Sequence, residues 1–150
     1  MNNDTQPFQM TADHVCIGVS SLDAAIRWYT DVLDFELDVQ WTVPELPGFR
    51  LAYIRRGDWR IELIDSGART PGPVEPMAFD AFLRTPGFSH LCFRVEDVDA
   101  VAGVLSDRGV TFEVPPTDFP DVQRRVAFFR DFDGNYLELA GPMVGEEVRA

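Results

Sequence analysis

The sequence predicts an α+β protein built from two tandem copies of one strand-helix-strand module, and three observations carry that prediction. His14 and His90 lie 76 residues apart and open two matching stretches, "DHVCIGVSSLDA" (Asp13 to Ala24) and "SHLCFRVEDVDA" (Ser89 to Ala100). Within each copy the apolar period passes from two to about 3.6 and back to two, the pattern of strand, helix and strand in succession. At 150 residues, 45% hydrophobic and 12% aromatic, the chain carries enough apolar side chain to bury a core.

A fixed self-similarity period decides the organisation. Sliding the sequence by 76 superposes Cys16 on Cys92, Val19 on Val95, Asp23 on Asp99, Tyr53 on Phe129, Ile61 on Leu137, Glu62 on Glu138 and Leu63 on Leu139, with no gap. The copies span residues 10–66 and 86–142. Residues 67–85 between them open with Gly and Pro and read as a linker.

The first strand of each copy alternates: Val15, Ile17 and Val19 (Leu91, Phe93 and Val95) take one face, and His14, Cys16 and Gly18 (His90, Cys92 and Arg94) the other. A helix follows. "SSLDAAIRWYTDVLDF" has Ser and Asp start signals and places Leu22, Ala25, Ile26, Tyr29, Val32 and Leu33 at helical spacing. "VEDVDAVAGVLSDRGVTF" repeats this with Val98, Val101, Ala102 and Leu105, and stops at Gly109. One more strand is expected around Glu36 to Val43 and around Thr111 to Pro115. Each copy closes on two strands joined by a tight turn, Arg56-Gly57-Asp58 in the first and Asp133-Gly134-Asn135 in the second.

Charge narrows the function. With 25 acids against 13 bases the net charge is -12, which excludes a phosphate-binding surface for nucleic acid and disfavours an anionic membrane. The first ten residues lack the basic and apolar regions of a secretion signal, so a soluble cytoplasmic protein is expected. Cys16 and Cys92 sit in apolar strand runs and read as reduced, buried packing residues.

Glu62 and Glu138 lie in the last strand of their copies, each between aliphatic neighbours that alternation sends to the opposite face. A carboxylate there is costly without a partner. Each copy thus supplies one His and one Glu on the face its helix leaves uncovered. Taken singly, each reads as well as a satisfied core or surface residue. Taken as a repeated pair, two imidazoles and two carboxylates suit a divalent ion with nitrogen and oxygen ligands, for which Ni, Co, Zn, Mn and Fe all qualify. Arg60, Arg94 and Tyr136 share these faces and are candidates for contact with an anionic or polar substrate; the competing reading for the arginines is a solvated ion pair. Trp28 and Tyr29 read as core, and "WTVPELPGFR" as the loop that varies with substrate.

These residues, with "VAFFRDFDGNYLELAG" closing the second copy, resemble the vicinal oxygen chelate superfamily. It includes glyoxalase I, methylmalonyl-CoA epimerase, extradiol dioxygenases, fosfomycin-resistance enzymes and bleomycin-binding proteins. The resemblance implies paired βαβββ modules whose curved mixed sheets form a cup around one divalent metal ion. It implies His14, Glu62, His90 and Glu138 as the metal ligands, Glu138 as the base that takes a proton next to a substrate carbonyl, and Glu62 as ligand or second base. The implied activity is that of a lyase or isomerase acting on a small chelating substrate through a metal-held enediolate, in a homodimer. An extradiol-type dioxygenase, an antibiotic-resistance enzyme and a non-catalytic binding protein are the alternatives within the same superfamily.

Overall fold

The computed structural model describes residues 10–68 and 78–143. In chain order the elements are β1 (His14–Gly18), α1 (Leu22–Leu33), β2 (Glu36–Thr42), β3 (Arg50–Arg56), β4 (Trp59–Asp65), α2 (Phe79–Arg84), β5 (His90–Arg94), α3 (Val98–Asp107), β6 (Phe112–Phe119), β7 (Arg124–Arg130) and β8 (Tyr136–Gly141). They form two four-stranded mixed sheets of the same topology, β1-β4-β3-β2 and β5-β8-β7-β6. In each, the first strand runs parallel to the last and the remaining pairs are antiparallel. The fold is α+β and two-module, as the repeat predicts. Among the described residues no helix is long and apolar enough to cross a membrane.

The duplication extends to the local devices. Ser21 caps α1 by accepting from the Ala24 amide at 3.4 Å, and Asp97 caps α3 by accepting from the Ala100 amide at 2.9 Å. Two residues on, Asp23 takes a two-pronged bond from Arg50 (2.9 and 2.7 Å), and Asp99 one from Arg125 (2.6 and 2.9 Å). The repeated Asp-Ala of the sequence is therefore a tether between each helix and the third strand of its sheet.

The gapless superposition needs one correction. Arg55 pairs with Arg60 across the first hairpin, whereas Arg130 pairs with Tyr136 across the second, so the second connection is one residue longer. Glu62 faces Tyr53 and Glu138 faces Phe128, which makes Phe128 the counterpart of Tyr53; Phe129 points into the core, fully buried. The extra residue lets the chain wrap around Asp131, whose carboxylate accepts from the amides of Asp133 (3.0 Å) and Asn135 (2.8 Å) and from the Asn135 side chain (2.9 Å).

One core joins both modules. The apolar faces of α1 (Leu22, Ala25, Tyr29, Val32, Leu33) and α3 (Val98, Ala102, Leu105) bury with Ile54, Ile61, Leu63, Phe129, Leu137 and Leu139 in a single cluster. Polar contacts bind the same seam. The Tyr29 hydroxyl donates to Asp131 at 2.8 Å, and Arg108 donates to the Val32 carbonyl (2.7 Å) and to Asp34 (2.9 Å). Trp28 packs against this core and Tyr29 is fully buried in it.

The linker region holds an element that the sequence reading leaves as loop. α2 supplies Phe79 and Phe82 to the second sheet; Phe82 lies 4.1 Å from the Tyr136 ring, and Phe79 lies 5.0 Å from Phe128.

Candidate metal centre

The parallel first and last strands bring His and Glu together. In register, Cys16 faces Glu62 and Cys92 faces Glu138, so each His, two residues earlier, reaches diagonally to its Glu. His14 Nε2 lies 3.4 Å from Glu62 Oε2, and His90 Nε2 lies 2.8 Å from Glu138 Oε2. Both glutamates are mostly buried, with side chains 16% and 14% exposed, while the histidines stay more open at 30% and 27%.

The outer ring nitrogens are anchored at matching positions. Nδ1 of His14 meets Asp13 Oδ2 at 2.7 Å, and Nδ1 of His90 meets Ser89 Oγ at 2.8 Å. The bond with His14, followed by one from Arg60, holds the Asp13 carboxyl below the usual carboxylate range, so Asp13 acts as acceptor. His14 thus turns Nε2 toward the Glu62 carboxylate, and either a proton or a metal cation can bridge the two. This chemistry fits a divalent ion, and a fixed outer nitrogen is how imidazole ligands are oriented. Asp13 and Ser89 were missed in the sequence; their signal is that each directly precedes its histidine.

The structure brings His14 to Glu62 and His90 to Glu138, but among the described residues no three His, Cys, Asp or Glu side chains converge to hold an ion. A cavity of about 570 Å³ between β1 and β5 has His14 and His90 in its walls. Each module therefore presents a two-donor half-site.

Aromatic rings surround both halves. Tyr53 stands edge-on to His14 at 5.3 Å, with Trp41 against it at 4.9 Å; Phe128 stands edge-on to His90 at 5.2 Å. Arg60 binds Asp13 at 2.8 and 3.1 Å and stacks over Tyr53. Arg94 instead lines a cleft between the modules with Trp59, Phe93 and Arg108. Tyr136 is buried; its hydroxyl donates to Glu113 at 2.6 Å and accepts from Arg130. Burial and then Glu113 push the Tyr136 hydroxyl up to about 12. Glu113 itself, although burial opposes it, is held low by bonds from Arg130 and Tyr136. Cys16 and Cys92 are free and, against the sequence expectation of burial, exposed; partial desolvation followed by the adjacent glutamates still pushes their thiols up to about 11 and about 12, so both stay protonated at neutral pH.

Known proteins match the chain in sequence and in fold. The chain is 40% identical over 82 residues to the 4-hydroxyphenylpyruvate dioxygenase-like protein of Mus musculus, covering 54% of this chain and 21% of that one. It is 26% identical over 143 residues to the lactoylglutathione lyase of Schizosaccharomyces pombe, covering 85% of this chain and 46% of that one. The chain thus spans about a fifth and about half of these two relatives. Among solved structures, a glyoxylase/bleomycin resistance protein/dioxygenase domain from Frankia sp. EAN1pec superposes with a TM-score of 0.69 at 26% identity, over 93% of this chain and 96% of that one. Residues 11–139 match the family model described as Glyoxalase/Bleomycin resistance protein/Dioxygenase superfamily, and the chain belongs to that superfamily.

Proposed function

We propose that the protein is a metal-dependent lyase or isomerase that moves a proton on the carbon next to a carbonyl of a small chelating substrate. The observation that carries this reading is the duplicated pair: twice, a histidine with an anchored outer nitrogen turns its inner nitrogen to a mostly buried glutamate. His14, Glu62, His90 and Glu138 would hold the ion. A divalent ion bound there supplies positive charge to two neighbouring substrate oxygens as one of them becomes an oxyanion. Glu138 is the base: its carboxylate meets His90 Nε2 at 2.8 Å and faces Phe128 across the sheet, on the side where the substrate would lie. Glu62 is the second ligand or second base. The lyase named among the relatives supports this class of reaction.

Among the described residues no third donor joins either pair. A homodimer in which each copy lends one pair would bring all four donors to one ion.

The test is proton exchange in deuterated water with a 2-oxo aldehyde thiol adduct or a 2-methylmalonyl-type thioester. Wild type places solvent deuterium next to the carbonyl, and Glu138→Gln loses about 100-fold or more of that rate while still binding metal. The dioxygenase reading has its own support in the 40% identity to a dioxygenase-like protein. Oxygen uptake with Fe(II) on a catechol-like substrate, without exchange on any carbonyl substrate, would replace the isomerase assignment with that one.

A further inference from the structure

We infer that α2 is the substrate wall of the second half-site, with Phe82 and Phe79 selecting a substrate that carries a flat, uncharged, apolar group beside its chelating oxygens. The inference rests on the proposed function and names the substrate class for that site.

Its first ground is placement. Phe79 and Phe82 are one helical turn apart and both lean on the face of the second sheet that carries His90 and Glu138. Phe82 lies 4.1 Å from the Tyr136 ring and 6.3 Å from His90; Phe79 lies 5.0 Å from Phe128 and 5.5 Å from Tyr136. Both rings stay only half-buried, so each keeps a face for a ligand. A six-residue helix has no stability of its own, so these stacks are what order it. The first half-site has its ring cover from its own sheet, in Trp41 and Tyr53, so α2 sets the two halves apart.

The second ground is charge. Three arginines on the two donor faces are bound to acids: Arg55 to Glu36 at 2.8 Å, Arg60 to Asp13, and Arg130 to Glu113. These pairs occupy the guanidinium groups nearest the histidines, which disfavours a substrate that needs them for further carboxylates or phosphates. What remains for the body of the substrate is aromatic surface.

Hydroxamates test this, because they share one bidentate oxygen head. Binding of benzohydroxamate, acetohydroxamate and the monohydroxamate of succinic acid is measured by calorimetry on metal-loaded and metal-free protein. Wild type should prefer the phenyl compound over the methyl compound by about tenfold or more and bind the succinyl compound weakest. Phe82→Leu, which keeps apolar bulk but removes the ring, should cut the phenyl preference to about threefold or less with acetohydroxamate binding unchanged. A phenyl preference that survives in both Phe82→Leu and Phe79→Leu/Phe82→Leu overturns the wall, as does its absence from wild type. A preference lost on substitution in protein that holds no metal would keep the wall and sink the metal reading instead.

Discussion

At the scale of the residue, the informative atoms are the outer ring nitrogens. Asp13 and Ser89 occupy the same repeat position, and each engages the Nδ1 that a metal would not use. Removing such a partner frees the ring to rotate and lowers its basicity, which typically weakens metal binding about 10- to 100-fold. Asp13→Ala and Ser89→Ala should each do so in competition with a fluorescent chelator, and Asp13→Asn, whose amide oxygen still accepts, should recover most of the loss. Affinity unchanged in both alanine variants would remove the anchoring role. The histidines and glutamates themselves were legible in the sequence because duplication doubles a signal that is ambiguous singly. Their anchors were not, since Asp or Ser before a strand is common and only the bond geometry distinguishes these two. The arginines show the opposite case: Arg60 makes the ion pair with a surface acid that its exposure favours, and Arg94 lies toward another cleft.

At the scale of the element, the paired tethers Asp23–Arg50 and Asp99–Arg125 hold each helix to its sheet. Hydrogen bonds from the guanidinium groups hold both carboxyls below their ordinary value of 3.8. A depressed folded value means stability that is complete above the unfolded value and is lost as pH falls through the folded one. The variant Asp23→Asn/Asp99→Asn should therefore show a smaller fall in urea midpoint between pH 7 and pH 3 than wild type does. An equal fall would show that the tethers carry no net stability, as exposed pairs often do. Helices and strands of this kind are legible because apolar period and capping residues are local. Two features were not local. The extra residue of the second hairpin is fixed by Asp131, whose carboxylate also receives the Tyr29 hydroxyl from the other module. α2 is too short for a helical period to declare itself, and its order comes from rings far along the chain.

At the scale of the whole molecule, the question is how two half-sites become one. Periodicity locates each pair but carries no information on how the modules pack, and here they pack through α1, α3 and the hairpin turns. If the halves complete each other between copies, one full site joins the first module of one chain to the second module of its partner. His14→Ala and His90→Ala should then each lose the ion when pure, because every site in either homodimer lacks one imidazole. Mixed, refolded and re-equilibrated, they form heterodimers in which one site lacks both histidines and the other has both. With random pairing half the dimers are mixed, so the mixture should regain about a quarter of the wild-type metal content by elemental analysis. Light scattering on the same samples should give twice the 16.9 kDa chain mass. A site contained within one chain gives no recovery on mixing at any ratio, since no chain then carries both histidines. A mass of one chain together with no recovery would return the two pairs to a single molecule, across the cavity whose walls carry both His14 and His90.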